Sequence, residues 1–410
     1  MTIDQLLNEA AGQAGLVRRL RLLEQPVRRQ LSKQMAAILS QEHRTSVPLA
    51  AALLDALSNK LFVRSVITDS DPLPLPTSWP VAERRAYRFA LRDGYAVLAG
   101  WLQDTDVTIA AIPAYDGTTG AIVAADGIAV VTDNGETIDI YYQDRQERYR
   151  AAGAGWRLEQ TTKYSVVNGR PLGPLLIAIG TGQSELLPVE SLLEALEAAV
   201  LDLQAVSRSQ GWPQRYLITD GIGQFLRSPF GQPLLGPDGL PIRRELIFEP
   251  GSILKIDAGE KTEFGQLAPA TADTTTIRQL LELISLVSGV PLHYFTGNWP
   301  SGIALLTVEQ RLNAKIEYYQ ALFSGPLVRL FQRIADLQSY YLREPARTVR
   351  DLDWYPPQIE TEEVKQLRTK AVVEQYQAGL LDRRTALRLI YPDWPEERLD
   401  EITNQGAMNE

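Results

Sequence analysis

Apolar residues recur at helical spacing near the start of the chain: Val27, Leu31, Met35, Ile38 and Leu39, then Leu49, Leu53, Leu54 and Leu57. Side chains three and four residues apart share one helix face, so residues 3–60 are expected to be helical, with Ser46 before Pro48 as a start signal. The segment 69–80, DSDPLPLPTSWP, has four prolines and reads as an extended connector. A further helix is expected from Val81 to about Trp101. Over 105–165 the pattern changes to short runs rich in Val, Ile, Thr and Tyr, punctuated by Asp116-Gly117, Asp126-Gly127 and Asn134-Gly135. These are hairpin signals, and TIDIYYQ and ERYRAAGAGWRLEQ read as successive strands of a meander.

The helical period returns at Pro188. Val189, Leu192, Leu193, Leu196, Val200, Leu203 and Val206 form an apolar stripe, and Glu190, Glu194 and Glu197 form an acidic one. That helix is expected to stop near Gly211-Trp212-Pro213. Short strands and turns fill 214–270. A second amphipathic helix starts near Thr274, carries Ile277, Leu280, Leu281, Ile284 and Val287, and is stopped by Gly289 and Pro291. An irregular stretch, PLHYFTGNWPSG, leads into a long helix over 304–342. It is interrupted at Gly325-Pro326, where proline lacks the N–H of the ladder and a kink is expected. At 1.5 Å per residue such a helix is roughly 58 Å long, more than an ordinary core requires. Residues 345–357 read as a connector and 358–403 as two or three short helices, with Gly379 as a C-cap and Asp382 as an N-cap.

Composition narrows the function classes. The chain has 410 residues, 45% hydrophobic and 22% charged, which suits a folded protein of two or three units. It has no Cys, which removes disulfides, thiolate zinc sites and cysteine nucleophiles. Its two histidines, His43 and His293, are too few for a three-His metal centre. No segment has the ~20 consecutive apolar residues of a membrane span, and the N-terminal text lacks the pattern of a signal peptide. The formal charge of −9 disfavours a protein that coats DNA, though not one that lets DNA slide past. No phosphate-binding G-x-x-x-x-G-K-[ST] occurs. Gly169, Gly173, Gly221 and Gly223 read as turn residues. His43 reads as solvated, and His293 as a packing residue before a catalytic one. Fifty acidic residues always permit a glycosidase-like carboxylate pair, but no spacing selects one. Tyr318, Tyr319, Phe323 and Phe331 read as core or subunit interface. The cluster Arg18, Arg19, Arg21, Arg28 and Arg29 reads as an exposed helix face.

The order of elements is more specific than any chemical motif. GQSELLPVESLLEALEAAVLDLQ and SGVPLHYFTGNWPSGIALLTVEQRLNAKIEYYQALFSGPL, followed by AVVEQYQAGLLDRRTALRLIYPDWPEE, resemble the portal proteins of tailed bacteriophages, best over 180–345. The resemblance implies an α+β portal fold. Its wing would be 1–187 and 304–346, its stem helices 188–208 and 271–290, its clip 209–270, its tunnel loop 291–303 and its crown 347–410. At this length it would be a short family member without the long C-terminal barrel of some relatives.

It implies a non-enzymatic ring of about twelve copies at one capsid vertex, assembled in the host cytoplasm. DNA would pass through it during packaging and ejection without specific binding. Its partners would be further copies of itself, the terminase large subunit, a head-tail adaptor and the major capsid protein or scaffold, with no membrane, metal or cofactor. On this reading His293, Tyr294, Phe295, Thr296, Asn298 and Trp299 of the tunnel loop project toward DNA, with Gly297 and Gly302 as flexible points. Glu190, Glu194 and Glu197 line the channel and repel phosphates. Phe230, Leu234, Asp238, Arg243 and Arg244 of the clip meet protein partners. The alternatives are another virion structural protein, such as an adaptor or baseplate component, and a carbohydrate-active enzyme.

Overall fold

The computed structural model describes residues 3–24, 48–69, 73–103, 106–153, 155–167, 170–211, 215–219, 232, 234–242, 253–257, 263–266, 274–300, 302–357, 362–391, 394, 398 and 402. The expectations placed on Val27 to Leu39, Arg28, Arg29, His43, Ser46, Gly169, Gly221, Gly223, Phe230, Arg243 and Arg244 lie outside these residues.

Helix α1 (Ile3–Leu23) buries Leu6, Ala10, Ala14, Val17 and Leu20, spaced by three and four along one face. Helix α2 (Leu49–Ser58) buries Leu53, Leu54 and Leu57, as the sequence periodicity predicts. Strand β1 (Val63–Thr68) follows, and then helix α3 (Trp79–Asp93). This helix ends earlier than expected. Gly94 takes φ = 91°, a left-handed conformation that a side chain disfavours, and its N–H closes the last turn on Ala90 O at 2.9 Å. The residues expected to continue it form β2 (Tyr95–Gln103), the centre strand between β3 (Asp106–Pro113) and β11 (Leu175–Gly180). A continuous apolar run such as YAVLAGWL suits a strand covered on both faces as well as a helix, and the glycine before it decides.

The expected meander is present as five antiparallel strands in sequence order: β4 (Gly120–Ala124), β5 (Gly127–Thr132), β6 (Thr137–Tyr141), β7 (Arg145–Ala152) and β8 (Gly155–Lys163). Ile122, Ala129, Val131, Ile138 and Ile140 of this sheet meet Leu6 and Ala10 of α1 in a small core of their own. Beyond Leu20, α1 enters the main core. The short strands β9 (Ser165–Val167) and β10 (Arg170–Leu172) pair with each other before β11.

Two antiparallel helices leave this body. Helix α4 (Glu190–Gly211) leads to a three-stranded sheet in which β12 (Arg215–Thr219) lies between β13 (Ile253–Asp257) and β14 (Glu263–Gln266). Helix α5 (Thr275–Ser288) returns along α4 and stops at Gly289, which has φ = 75°. A single turn, α6 (His293–Thr296), precedes α7 (Gly302–Tyr341), a helix of 40 residues.

Helix α7 corrects two expectations. It is not too long for a core: Leu312, Ile316, Tyr319, Phe323, Leu327, Leu330, Phe331 and Ile334 are all buried in the main cluster. Phe331 meets Trp79 edge-on at 4.9 Å, and Phe323 stacks on Tyr87 at 5.3 Å. Nor is it interrupted at Gly325-Pro326. Proline deprives the Leu322 carbonyl of its usual donor, but Phe323 and Leu327 on either side are wholly buried and hold the turn, and Ser324 Oγ donates back to Gln320 O at 2.7 Å.

The stretch expected as a connector contains β15 (Val349–Trp354), paired antiparallel with β1. The main core therefore includes residues past 346, Leu352 among them. Helices α8 (Glu362–Gln377) and α9 (Arg383–Ile390) pack together at the end, with Gly379 at φ = 72° and Asp382 Oδ2 accepting from Thr385 N at 3.1 Å.

Candidate functional site

The loop between α5 and α7 divides in two. Its first half is built into the body. His293 is buried, and Tyr294 and Phe295 pack against the main core. The second half is exposed, from Thr296 through Gly297 and Asn298 to Trp299, with Gly297 at φ = 73°. Trp299 is 55% exposed, yet its ring lies 4.6 Å from His293 and 5.2 Å from Tyr294. Of the six residues expected to project, His293 is buried, Tyr294 and Phe295 are partly buried against the core, and Thr296, Asn298 and Trp299 are exposed.

Glu309, 2% exposed on α7, organises the buried half. The Tyr294 hydroxyl donates to Glu309 Oε1 at 2.8 Å, and His293 Nε2 lies 3.5 Å from the same oxygen. Lys60, just beyond α2, donates to Glu309 Oε2 at 2.8 Å, Asn313 Oδ1 at 3.0 Å and Pro357 O at 2.9 Å. An ammonium has three protons, and here each has an acceptor, which a buried charge requires. Burial holds the His293 pKa below the ordinary histidine value, so its ring is neutral, and burial pushes the Tyr294 hydroxyl up. Glu309 and Asn313 escaped the sequence reading. Their only trace is a pair of polar residues within the stripe that Leu305, Leu312 and Ile316 mark as buried.

A second polar cluster fixes the base of the two-helix projection. Lys315 of α7 donates to Glu185, which precedes α4, and to Ser288 O at the end of α5 at 2.9 Å. The Tyr319 hydroxyl donates to the same Glu185. One turn earlier, Arg311 donates to Leu286 O at 2.9 Å. The start of α4 and the end of α5 are thus both bolted to α7.

The acidic stripe faces the chain's own helices more than expected. Glu190 pairs twice with Arg19 of α1, at 2.5 and 2.9 Å, so it is not an uncompensated charge facing a channel. Glu197 lies beside Leu23, Leu49 and Ala50. Glu194 is exposed. Arg21 is not part of an exposed basic face either: it contacts Asp93, Asp116 and Ala114 O between α3 and the sheet. In the segment expected to form a clip, Leu234 and Asp238 are exposed on a turn closed by Ile242 N to Leu234 O at 2.8 Å, with Leu235 and Leu240 exposed beside them.

Among the described residues no group of three or more His, Asp or Glu is placed to hold a metal ion, and no helix is long and apolar enough to cross a membrane. Glu83 is also deeply buried but, unlike Glu309, it is in no ion pair among the described residues. Burial raises its pKa to about 8, against the hydrogen bonds that Val63 N and the Tyr87 hydroxyl donate to it.

No protein-family model matches the chain. No curated protein matches it either. Solved structures do. A chain described as the virion of a native gene transfer agent (GTA) particle is 11% identical, with a TM-score of 0.41, over 92% of this chain and 98% of that one. A chain from the neck of the native GTA particle, computed with C12 symmetry, is 12% identical over 94% and 99%, with a TM-score of 0.42. A third, from the neck of an empty GTA particle computed with C6 symmetry, is 13% identical over 75% and 76%, with a TM-score of 0.37.

Proposed function

We propose that the chain is a virion structural protein of the portal type. Copies of it form a ring at one capsid vertex, through which DNA is packaged and ejected and on which a terminase and a head-tail adaptor dock. The observation that carries this reading is an unfilled apolar face on the projecting helix pair. Helix α5 buries Ile284 against its own chain and packs Ile277, Leu280 and Leu281 on the core. It nevertheless leaves Leu283, Leu286 and Val287 exposed, and α7 exposes Val308 and Tyr318. A helix apolar on both sides belongs between two partners. Neighbouring copies in a ring supply the second partner at every position, and cyclic closure leaves no copy with a bare face.

The base cluster of Glu185, Lys315 and Tyr319 suits the same role, because it makes the projection a rigid extension of the body. On this reading Thr296, Asn298 and Trp299 form the part of the loop that faces DNA, and the clip turn around Leu234 and Asp238 meets protein partners. The chain carries no catalytic function of its own, and the buried carboxyls Glu83 and Glu309 are structural. Negative-stain images of the purified chain test the proposal. Rings with a central hole are expected, and compact dimers or trimers without one would move the assignment to an adaptor.

A further inference from the structure

A cleft of about 850 Å3 opens between the turns of the meander, the segment 171–177 and the middle of α7. Its volume lies within the ~300–1,000 Å3 range of small-ligand sites. One wall is aromatic: Tyr141, Tyr142 and Tyr164. The Tyr164 ring is fixed, because it lies against the bare backbone of Gly173, where a Cβ would come within 2.4 Å of it. Its hydroxyl is buried without a hydrogen-bond partner among the described residues. Burial pushes its pKa up to about 12, so at neutral pH it is an intact donor.

The floor is cationic. Arg329 and Arg333 stand one turn apart on α7. Arg333 is steadied by a bond from Nη1 to Pro171 O at 2.8 Å, which leaves its other N–H groups available. No hydrogen bond or ion pair joins Arg329 to a described residue. Gln332 between them is saturated, donating to Asp336 Oδ1 and Arg347 O and accepting from Val349 N, so the floor does not rearrange easily. Two carboxylates also line the cleft. Asp336 is engaged by Gln332, and Asp126 stands across the opening on the β4–β5 turn. The α7 floor therefore keeps an excess of positive charge.

We propose that this cleft binds a small planar aromatic oxyanion, its ring against the tyrosine wall and its anionic group on Arg329 and Arg333. Flat rings stack on tyrosine faces, and guanidinium forks match carboxylate, sulfonate or phosphate oxygens. All of the lining comes from one chain, so the site does not depend on ring assembly.

The probe is anilinonaphthalene sulfonate, titrated by fluorescence against the full chain. A saturable site is expected, weakened about tenfold or more by Arg329→Gln and about fivefold by Tyr164→Phe. Arg329 is exposed and joined by no hydrogen bond or ion pair to a described residue, so its variant is expected to retain the fold, which circular dichroism checks. Leu286→Ser, on the exposed face of α5, leaves this affinity unchanged. Neutral 1-naphthol binds about tenfold more weakly than the sulfonate. Unchanged sulfonate affinity in both Arg329→Gln and Tyr164→Phe, or equal affinity for 1-naphthol, overturns the proposal.

Discussion

The main body and the projecting helix pair distribute apolar side chains in opposite ways. In the main body, Trp79, Tyr87, Phe323 and Phe331 are all but completely covered by the chain's own residues. On α5, Leu286 is 63% exposed and its neighbours Leu283 and Val287 are exposed with it. The body's core is complete within the chain, and the helix pair keeps an apolar face uncovered. Substitutions of similar size should therefore act on different observables in the two regions. Phe323→Ala removes a ring that is stacked on both Tyr87 and Tyr319, and should destabilise the chain by about 3–5 kcal/mol in chemical denaturation. Leu286→Ser should leave the stability of the separate chain within about 0.5 kcal/mol and weaken association instead.

The next largest effect separates a buried charge from an exposed one. Lys60→Ala strands Glu309 without its cation and should lose about 3 kcal/mol or more. It should also raise hydrogen exchange at Tyr294 and Phe295, while residues on β2 stay protected. An unchanged loop would mean that Glu309 does not hold it.

Glu83 gives the main body a pH dependence of its own. Unfolded, its carboxyl titrates near its ordinary value of 4.5; folded, near about 8. Between these values the folded chain keeps a proton that the unfolded chain has released. Stability should therefore fall as pH rises through the window, by roughly 1.4 kcal/mol per unit, and recover on acidification toward the lower value. Glu83→Gln keeps the acceptor oxygen without the charge, and its urea midpoints at pH 5 and pH 8 should differ less than those of the parent chain. The smallest effect belongs to the surface pair of Arg19 and Glu190. Arg19 is largely exposed, so a double-mutant cycle should return a coupling of no more than about 1 kcal/mol.

Local signals in the sequence carried most of the secondary structure. The stripes of α4 and α5, the Gly289 stop, the hairpin dipeptides of the meander and the Asp382 cap each act within a few residues, and each is where the pattern places it. The failures are tertiary. The Tyr95 run is apolar enough for a helix or a buried strand, and only its partners β3 and β11 distinguish them. Strand β15 is six residues long with three charges, and its identity as a strand comes from β1, far away in sequence. Pro326 is tolerated because packing on both sides outweighs a missing hydrogen bond.

The candidate site was legible only as a place. PLHYFTGNWPSG stands out as irregular between two helices, but nothing local says that its first half is held inside. Lys60 and Glu309 meet across 249 residues. Glu190 reads as one member of an acidic stripe until α1 brings Arg19 to it.

The central claim is that the exposed apolar face of α5 is covered by another copy of the chain. Light scattering on the purified parent chain and on Leu283→Ser/Leu286→Ser/Val287→Ser, both checked by circular dichroism, tests it most directly. The account predicts particles of about twelve 45.6 kDa chains, near 550 kDa, for the parent and single chains with unchanged secondary structure for the variant. Equal masses for the two proteins would contradict it.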